Sequence, residues 1–284
     1  MKELDGAELV DFIKERQAHQ VRGLRQTHGI VPKLLILRDS DNPVIERYVG
    51  LKKRYGEEIG VEVEDEVLQG HFLQERSLQD RIEQANDDDS IHGIIVQLPL
   101  QERSLQKVDE VLSKIAPAKD VDGLAAFART ELAKSGFISA TATAIDWLLS
   151  GYNIDLRGKR IAIVGQGRLV GAPLTKLWQD EYDVRGFDIS DADDLAGELT
   201  RYDLVVSATG VPGLLKPNMI KEGAVVVDAG TASEGGVLKG DASDELRARR
   251  DITITPKIGG VGPLTVAVLF DHVIRAAIDK TKKV

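Results

Sequence analysis

A chain of 284 residues with 42% hydrophobic but 5% aromatic content must build its core mainly from Val, Ile, Leu and Ala, and its length favours two domains over one. The formal charge of −9 leaves no basic stripe to pair with phosphates, which argues against nucleic acid or an anionic membrane as partner. The absence of cysteine excludes disulfides, thiolate metal sites and cysteine nucleophiles together.

Residues 7–27 carry Leu9, Val10, Ile13, Val21 and Leu24 at helical spacing among charges, the pattern of a surface helix interrupted by Pro32. Lys33–Arg38, with Leu-Leu-Ile-Leu at its centre, follows as a buried strand. Asp39-Ser-Asp-Asn-Pro43 is a helix start, with Asn42 as cap and Pro43 in the first turn, and that helix runs to about Glu58. Tyr48 and Lys52 stand four apart on one face of it. Taken as a bare pair, they equally describe an aromatic packed under a lysine stem at a solvated face. Val61-Glu-Val63-Glu alternates as a half-exposed strand, residues 75–85 are helical, and Ile91 to Leu98 is a buried strand closed by Pro99. Gln97 ends that strand where open α/β sheets bind ligands, although a strand-exit amide also serves as a cap. Residues 104–115 are helical. Asp120 and Asp122 then flank Val121 ahead of Gly123, a pair able to bind a cation, cap a helix or grip a polar ring.

A helix over roughly Thr141 to Leu149 leads through the loop Gly151–Gly158 to a short buried strand, Ile161–Val164. Gly165, Gly167 and Gly171, with Gln166, Arg168, Leu169 and Val170 between them, carry the chain into a helix with Leu174, Leu177 and Trp178 on one face. A glycine turn of this kind brings helix N-terminal N–H groups to a pyrophosphate, though a tight turn with no ligand has the same spacing. The strand Tyr182–Phe187 ends in Asp188, about 20 residues past the turn, where a dinucleotide fold places the acid that hydrogen-bonds the adenosine ribose. A carboxylate there repels a 2′-phosphate, Gln166 is neutral, and Arg168 and Arg185 are the nearby cations, so the expected cofactor is NAD rather than NADP. The other use of Asp188, within the Asp-rich run 188–194, is to cap the next turn. Leu204–Val206, Val225–Val227 and Ile252–Pro256 are further strands, and the last helix starts near Pro263 and passes Ala277. Strands alternating with helices imply an α/β chain with parallel sheets in both halves and a boundary around residue 138, near the Ser135-Gly136 turn. The histidines at 19, 28, 71, 92 and 272 lack metal-ligand spacing, so no metal is expected. The charged start of the chain and the lack of any run approaching ~20 apolar residues point to a cytoplasmic protein that does not cross a membrane.

Tyr48-Val49-x-x-Lys52, Val96-Gln97-Leu98-Pro99-Leu100, Lys119-Asp-Val-Asp-Gly123 and Gly259-Gly-Val-Gly-Pro-Leu-Thr265, in this order and separation, resemble the bifunctional methylenetetrahydrofolate dehydrogenase/methenyltetrahydrofolate cyclohydrolase family over nearly the whole chain. The resemblance implies a folate-binding catalytic domain, 1–138 completed by 263–284, facing a Rossmann-like dinucleotide-binding domain, 139–262, across a folate cleft. It implies oxidation of 5,10-methylenetetrahydrofolate with NAD(P), hydrolysis of the product to 10-formyltetrahydrofolate, and a homodimer. Lys52 would transfer the proton, Gln97 would tune it, and Tyr48 would stack on or orient the substrate. Asp122 would grip the donor edge of the pterin, and Gly260, Val261, Gly262 and Pro263 would shape the folate end of the cleft. The cofactor set would be Gly165 to Gly171, Asp188 and Thr141.

The chain departs from the family in four places. Gly165-Gln166-Gly167 replaces Gly-Arg-Ser and removes the groups that in many members serve an NADP phosphate. Ser139-Ala-Thr-Ala-Thr-Ala144 replaces Pro-Cys-Thr-Pro-x-Gly and keeps only Thr141, Ile45 stands for a serine, and Lys257-Ile258 replaces Val-Pro. A dehydrogenase without cyclohydrolase activity, and a dinucleotide-binding protein without turnover, are the competing expectations.

Overall fold

Buried aliphatic runs form the strands, and helical crossovers bring consecutive strands parallel. The computed structural model describes residues 2–40, 42–68, 75–100, 105–125, 136–188, 195–230, 232–234 and 237–282. Asp41, His71, Ser104, Ser135 and positions 189–194 of the Asp-rich run lie outside them.

The first part of the chain forms β1 (Lys2–Glu3), α1 (Gly6–His28), β2 (Lys33–Arg38), α2 (Pro43–Ile59), β3 (Glu62–Val67), α3 (Glu75–Asp87), β4 (Gly93–Val96) and α4 (Leu105–Leu112). There follow α5 (Ala140–Gly151), β5 (Arg160–Val164), α6 (Gly171–Trp178), β6 (Asp183–Phe187), α7 (Leu195–Leu199), β7 (Leu204–Ser207) and β8 (Val225–Asp228). A short 3-10 turn (Pro217–Met219) precedes β8, and the hairpin β9 (Ala232–Glu234) and β10 (Val237–Lys239), α8 (Asp244–Arg247), β11 (Thr253–Ile254) and α9 (Val261–Thr281) complete the described elements. Every strand and helix expected from periodicity has a counterpart, while β1, the hairpin, α7 and α8 are too short to show a period. The expected strand Ile91–Leu98 shrinks to Gly93–Val96, because the Ile91 N–H turns back to the Asp88 carbonyl and the chain leaves the sheet at a cis Leu98–Pro99 peptide.

The chain divides into two compact units, Met1–Val10 with Thr141–Thr265 and Asp11–Ala140 with Val266–Val284. In the second, β3-β2-β4 form a parallel sheet, with Leu35 opposite both Glu64 and Ile94. Leu34 to Leu37 are fully buried, and Leu35 and Leu37 pack with Leu78, Ile82, Val111 and Leu112. In the first, six parallel strands run β1-β11-β8-β7-β5-β6. Strand order reverses at β5, which has β6 on one side and β7 on the other, a topological switch point of the sort where open parallel sheets take ligands. The core beneath is aliphatic, with Val164, Val205, Val226, Leu215 and Leu246 buried.

The compact units do not coincide with the expected 1–138 plus 263–284 and 139–262: their limits fall at 140/141 and 265/266, and residues 1–10 go with the six-stranded sheet, where β1 pairs with β11, Lys2 opposite Thr253. A two-residue strand leaves no periodic signal, yet it satisfies backbone groups that β11 would otherwise present at an open edge. Helix α9 is long and apolar enough to span a membrane by length and composition alone, although Asp271, Arg275, Asp279 and Lys280 interrupt its apolar run. Its Leu264, Val268, Phe270, Val273 and Ile274 are buried, as in a core helix.

Candidate active site

Helix α2 is placed from both ends. At its start Arg38 grips Asp65 through Nε (2.9 Å) and donates from Nη1 to the Ser40 carbonyl (3.0 Å). The Asn42 N–H then donates to Ser40 Oγ (3.1 Å), and the Asn42 carbonyl accepts from the Glu46 N–H (2.9 Å). Further along, Tyr55 stacks on Phe270 at 5.1 Å and its hydroxyl donates to Gln17 Oε1 (2.8 Å), whose Nε2 donates to the Ala267 carbonyl (2.8 Å). Ile45, Val49 and Ile59 are buried on the same helix, so the residue at the usual serine position contributes to the core. With the helix held, Tyr48 is left 36% exposed and Lys52 half-buried, one turn apart.

Lys52 Nζ donates to Gln97 Oε1 at 2.7 Å, and Gln97 Nε2 donates to the Leu98 carbonyl at 3.0 Å. Burial pushes the Lys52 pKa below its usual 10.5, opposed by the Asp122 carboxylate, which favours the ammonium. Burial pushes Asp122 above the usual carboxylate range, opposed in turn by Lys52. Both groups are driven toward neutrality, so the amine can hold its lone pair at a pH where an exposed lysine is protonated.

The segment Lys119–Gly123 divides its work residue by residue. Lys119 Nζ donates to the carbonyls of Ala85, Asn86 and Asp88 at 2.7–2.8 Å and closes the C-terminus of α3. Asp120 is buried and accepts from the N–H groups of Leu124 (3.2 Å) and Ala125 (2.8 Å), which fixes the turn after it. A parallel bridge from Asp120 to Ile94 fastens the segment beside β4. Val121 fills the core, and its carbonyl accepts from His272 Nδ1 at 2.8 Å. Gly123 takes φ +71° with Ile138 and Ser139 backbone 2.5 Å from where a Cβ would stand. Among these, Asp122 is the carboxylate whose charge acts on Lys52. His272, stacked on Phe137 at 4.5 Å, is a supporting residue that sequence reasoning missed, since a lone histidine on an apolar helix carries no local signal.

In the other unit the glycine turn leaves β5 at Gly165, φ +89°, whose missing Cβ would stand 2.8 Å from the Ala208 carbonyl. A Cβ on Gly171 would lie 1.8 Å from the Gly165 carbonyl, so the turn closes only with glycine there. Gly167 has open space around the same position. Val170 precedes α6 without a side-chain cap among the described residues, leaving the helix N-terminus available to an anion. These features fit a dinucleotide pyrophosphate. Trp178, buried at the far end of α6, donates from Nε1 to Asp146 Oδ1 (3.0 Å) and ties the helix to α5.

The side chain of Gln166 turns inward. Its Nε2 donates to the Ile163 carbonyl (3.0 Å), its Oε1 accepts from Thr175 Oγ1 (2.9 Å), and it lies over Gly186, where a Cβ would come within 2.6 Å of it. Asp188 is exposed just beyond β6. Arg185 sits over the Phe187 ring at 4.7 Å and pairs with Glu198 at 3.2 Å. Arg168 and Val170 are half-buried and Leu169 is exposed. Thr141 lies in the first turn of α5, half-buried. Gly260, just before α9, is buried; in the first turn of the helix Val261 is buried, Pro263 is half-buried and Gly262 is exposed with open space around it. Lys257 pairs with Asp244 at 3.1 Å, the ordinary surface use of that departure.

Among the described residues no group of three or more His, Asp or Glu side chains is arranged to hold a metal ion. The Lys52 cluster offers an amine of lowered basicity beside a polarising amide and a carboxyl group, an arrangement suited to proton transfer on a polar ring.

Comparison with known proteins agrees with this geometry. Residues 4–122 match the family model of the tetrahydrofolate dehydrogenase/cyclohydrolase catalytic domain, and residues 139–281 that of its NAD(P)-binding domain. The bifunctional protein FolD of Methanosarcina barkeri is 35% identical over 280 residues, covering 96% of this chain and 95% of the relative. Among solved structures, the bifunctional FolD of Campylobacter jejuni superposes with a TM-score of 0.90 at 34% identity, covering 99% of both chains. The FolD of Trypanosoma brucei, solved with NADP and an inhibitor, gives a TM-score of 0.88 at 28% identity, covering 98% of this chain and 97% of that one.

Proposed function

From the premise that the chain belongs to the tetrahydrofolate dehydrogenase/cyclohydrolase family, we propose how its residues divide the two reactions. The enzyme is bifunctional: it oxidises 5,10-methylenetetrahydrofolate to 5,10-methenyltetrahydrofolate with NAD(P), then hydrolyses that cation to 10-formyltetrahydrofolate. Folate chemistry belongs to the unit holding Lys52, and dinucleotide binding to the unit holding the glycine turn.

NAD(P) supplies the hydride acceptor when bound. Asp122 accepts hydrogen bonds from the donor edge of the pterin, and Tyr48, exposed one turn above Lys52, lies along the substrate face and orients the one-carbon bridge. In the hydrolytic step the Lys52 amine takes a proton from the water that adds to the bridge. Gln97 holds Nζ in one direction. The Lys52–Gln97 hydrogen bond beside Asp122 is the observation that carries this assignment.

NAD is the preferred dinucleotide in this reading. Its support is local: Asp188 stands at the end of β6, Gln166 is neutral and turned inward, and Arg185 is engaged by Phe187 and Glu198. Thr141 belongs with the cofactor set and Gly260–Pro263 with the folate end, by family resemblance. A homodimer is expected on the same ground. A cytoplasmic enzyme is our reading of its location, with α9 serving as a core helix.

Initial rates of NAD and NADP reduction, measured side by side with methylenetetrahydrofolate, test the assignment. Preference for NAD supports it. Preference for NADP leaves the family intact and overturns the reading of Asp188 and Gln166.

A further inference from the structure

At the carboxyl ends of β7 and β8 lies a pair of carboxylates that neither reaction uses directly. Asp228 closes β8 and accepts from the N–H groups of Gly230 (3.0 Å), Asp241 (3.0 Å) and Ala242 (2.9 Å), with Arg247 as its ion-pair partner. Asp241 is fully buried. Its Oδ2 accepts from Ser207 Oγ (2.6 Å), the Thr209 N–H (2.8 Å) and Thr209 Oγ1 (2.9 Å). Its Oδ1 is buried without a hydrogen-bond partner among the described residues. Two glycines make room for the pair: a Cβ on Gly230 would stand 2.0 Å from Asp241 Oδ1, and one on Gly240 would stand 2.1 Å from Asp228 Oδ2.

A buried carboxylate with all its donors on one oxygen is an expensive way to hold a loop. What it holds is specific. Ser207 ends β7, and Thr209 begins the turn beyond it, at the switch point between β5 and β7. That turn is the surface on which the glycine turn rests, because the Cβ position of Gly165 lies 2.8 Å from the Ala208 carbonyl and 3.0 Å from Thr209 Cγ2. Moving Thr209 by a few tenths of an ångström therefore moves Gly165, and with it the backbone that approaches the pyrophosphate.

We propose that Asp241 is a positioning residue for the dinucleotide site: through Ser207 and Thr209 it sets the 207–210 turn against which Gly165 packs. The inference rests on the dinucleotide reading of the glycine turn. Asp241 touches neither cofactor nor substrate in this role. It acts on the shape of the site, so its loss falls on dinucleotide affinity.

The test uses the full-length enzyme with Asp241→Asn, Thr209→Val and the double variant. For each, the KM for the dinucleotide, the KM for methylenetetrahydrofolate, the dehydrogenase kcat and the cyclohydrolase rate are measured. Asp241→Asn keeps the shape and can still turn its amide oxygen to the three donors, but it replaces charge-assisted hydrogen bonds by weaker neutral ones and buries an NH2 at the place of Oδ1, which has no partner among the described residues. It is expected to raise the dinucleotide KM about tenfold or more. The folate KM and the cyclohydrolase rate, which consumes no dinucleotide, stay within about twofold. The double variant is expected to be no worse than Asp241→Asn alone, since both act through one contact. An unchanged dinucleotide KM, additive effects, or a parallel fall in cyclohydrolase activity would overturn the proposal. If Asp241→Asn does not fold, Ser207→Ala decides the matter by a rise or no rise in dinucleotide KM, because the Ser207 hydroxyl donates to Asp241, whereas the Thr209 hydroxyl also accepts from the Val211 N–H. Failure of the wild-type enzyme to reduce either dinucleotide would instead sink the underlying reading.

Discussion

Lys52 and Gln97 are joined by a 2.7 Å hydrogen bond whose direction is fixed by its neighbour. Gln97 Nε2 faces the Leu98 carbonyl at 3.0 Å, so the opposite orientation of the amide would set oxygen against oxygen and donor against donor. Oε1 must therefore face Lys52. The amine keeps one hydrogen committed to Gln97.

Replacing Lys52 with Met keeps most of the stem's volume and removes the base. Cyclohydrolase activity is expected to fall by roughly 10²–10⁴-fold, the usual contribution of a placed acid or base. Hydride transfer needs positioning rather than a base at Lys52, and should fall far less. The two rates are separable by following reduced dinucleotide and methenyl absorbance independently. Equal losses would remove Lys52 from the proton-transfer role.

Asp122 supplies the charge that favours protonated Lys52, against the desolvation that disfavours it. Asp122→Asn removes that charge, and the Lys52 pKa then falls further. The rising limb of the cyclohydrolase pH profile, which follows deprotonation of Lys52, should accordingly move to lower pH. The KM for folate should rise with it, since the amide presents a donor to the pterin donors. A rising limb unmoved by Asp122→Asn would mean the titrating base is another group.

The extent to which this site was legible in the sequence varies with distance along the chain. Tyr48 and Lys52 are coupled by helical period, and Gln97 by its place at a strand end, so local rules bring each to the right face. Asp120 and Asp122 look alike in sequence because the choice between them is made by distant partners. The N–H groups of Leu124 and Ala125 engage Asp120, and burial beside Lys52 singles out Asp122. Asp241 was invisible for the same reason. Its partners Ser207 and Thr209 are 34 and 32 positions away and meet it only when β7 and β8 pair. Gln166 was legible as neutral, but its inward turn depends on Gly186 in the next strand.

Asp188 controls the choice of dinucleotide in this reading. Asp188→Ser keeps a hydrogen-bonding group for the ribose and removes the charge that a 2′-phosphate would meet. The ratio of kcat/KM for NAD over NADP should fall at least about tenfold, or ~1.4 kcal/mol. The change should come mainly from improved use of NADP. If the ratio holds, discrimination resides elsewhere in the turn, with Arg168 the next residue to vary.

His272 links acid stability to the substrate loop. Burial holds its imidazole neutral and its pKa down to about 4, while it bonds to the Val121 carbonyl next to Asp122. An unfolded histidine titrates near pH 6.5. Between about pH 6.5 and 4 the unfolded chain binds a proton that the folded chain refuses, so stability is complete above that window and declines as pH falls through it. The loss amounts to ~3 kcal/mol once pH is below the folded value. His92, also buried and also held down to about 4, adds in the same direction. His272→Asn retains a donor for Val121 but not the titration. At pH 7 it should cost ~1–2 kcal/mol through the lost stacking on Phe137. Urea midpoints at pH 7, 5.5 and 4.5 should then decline less steeply than in the parent protein, with His92 and the perturbed carboxylates setting the slope that remains. An undiminished slope would show that His272 is not the group that couples protonation to unfolding.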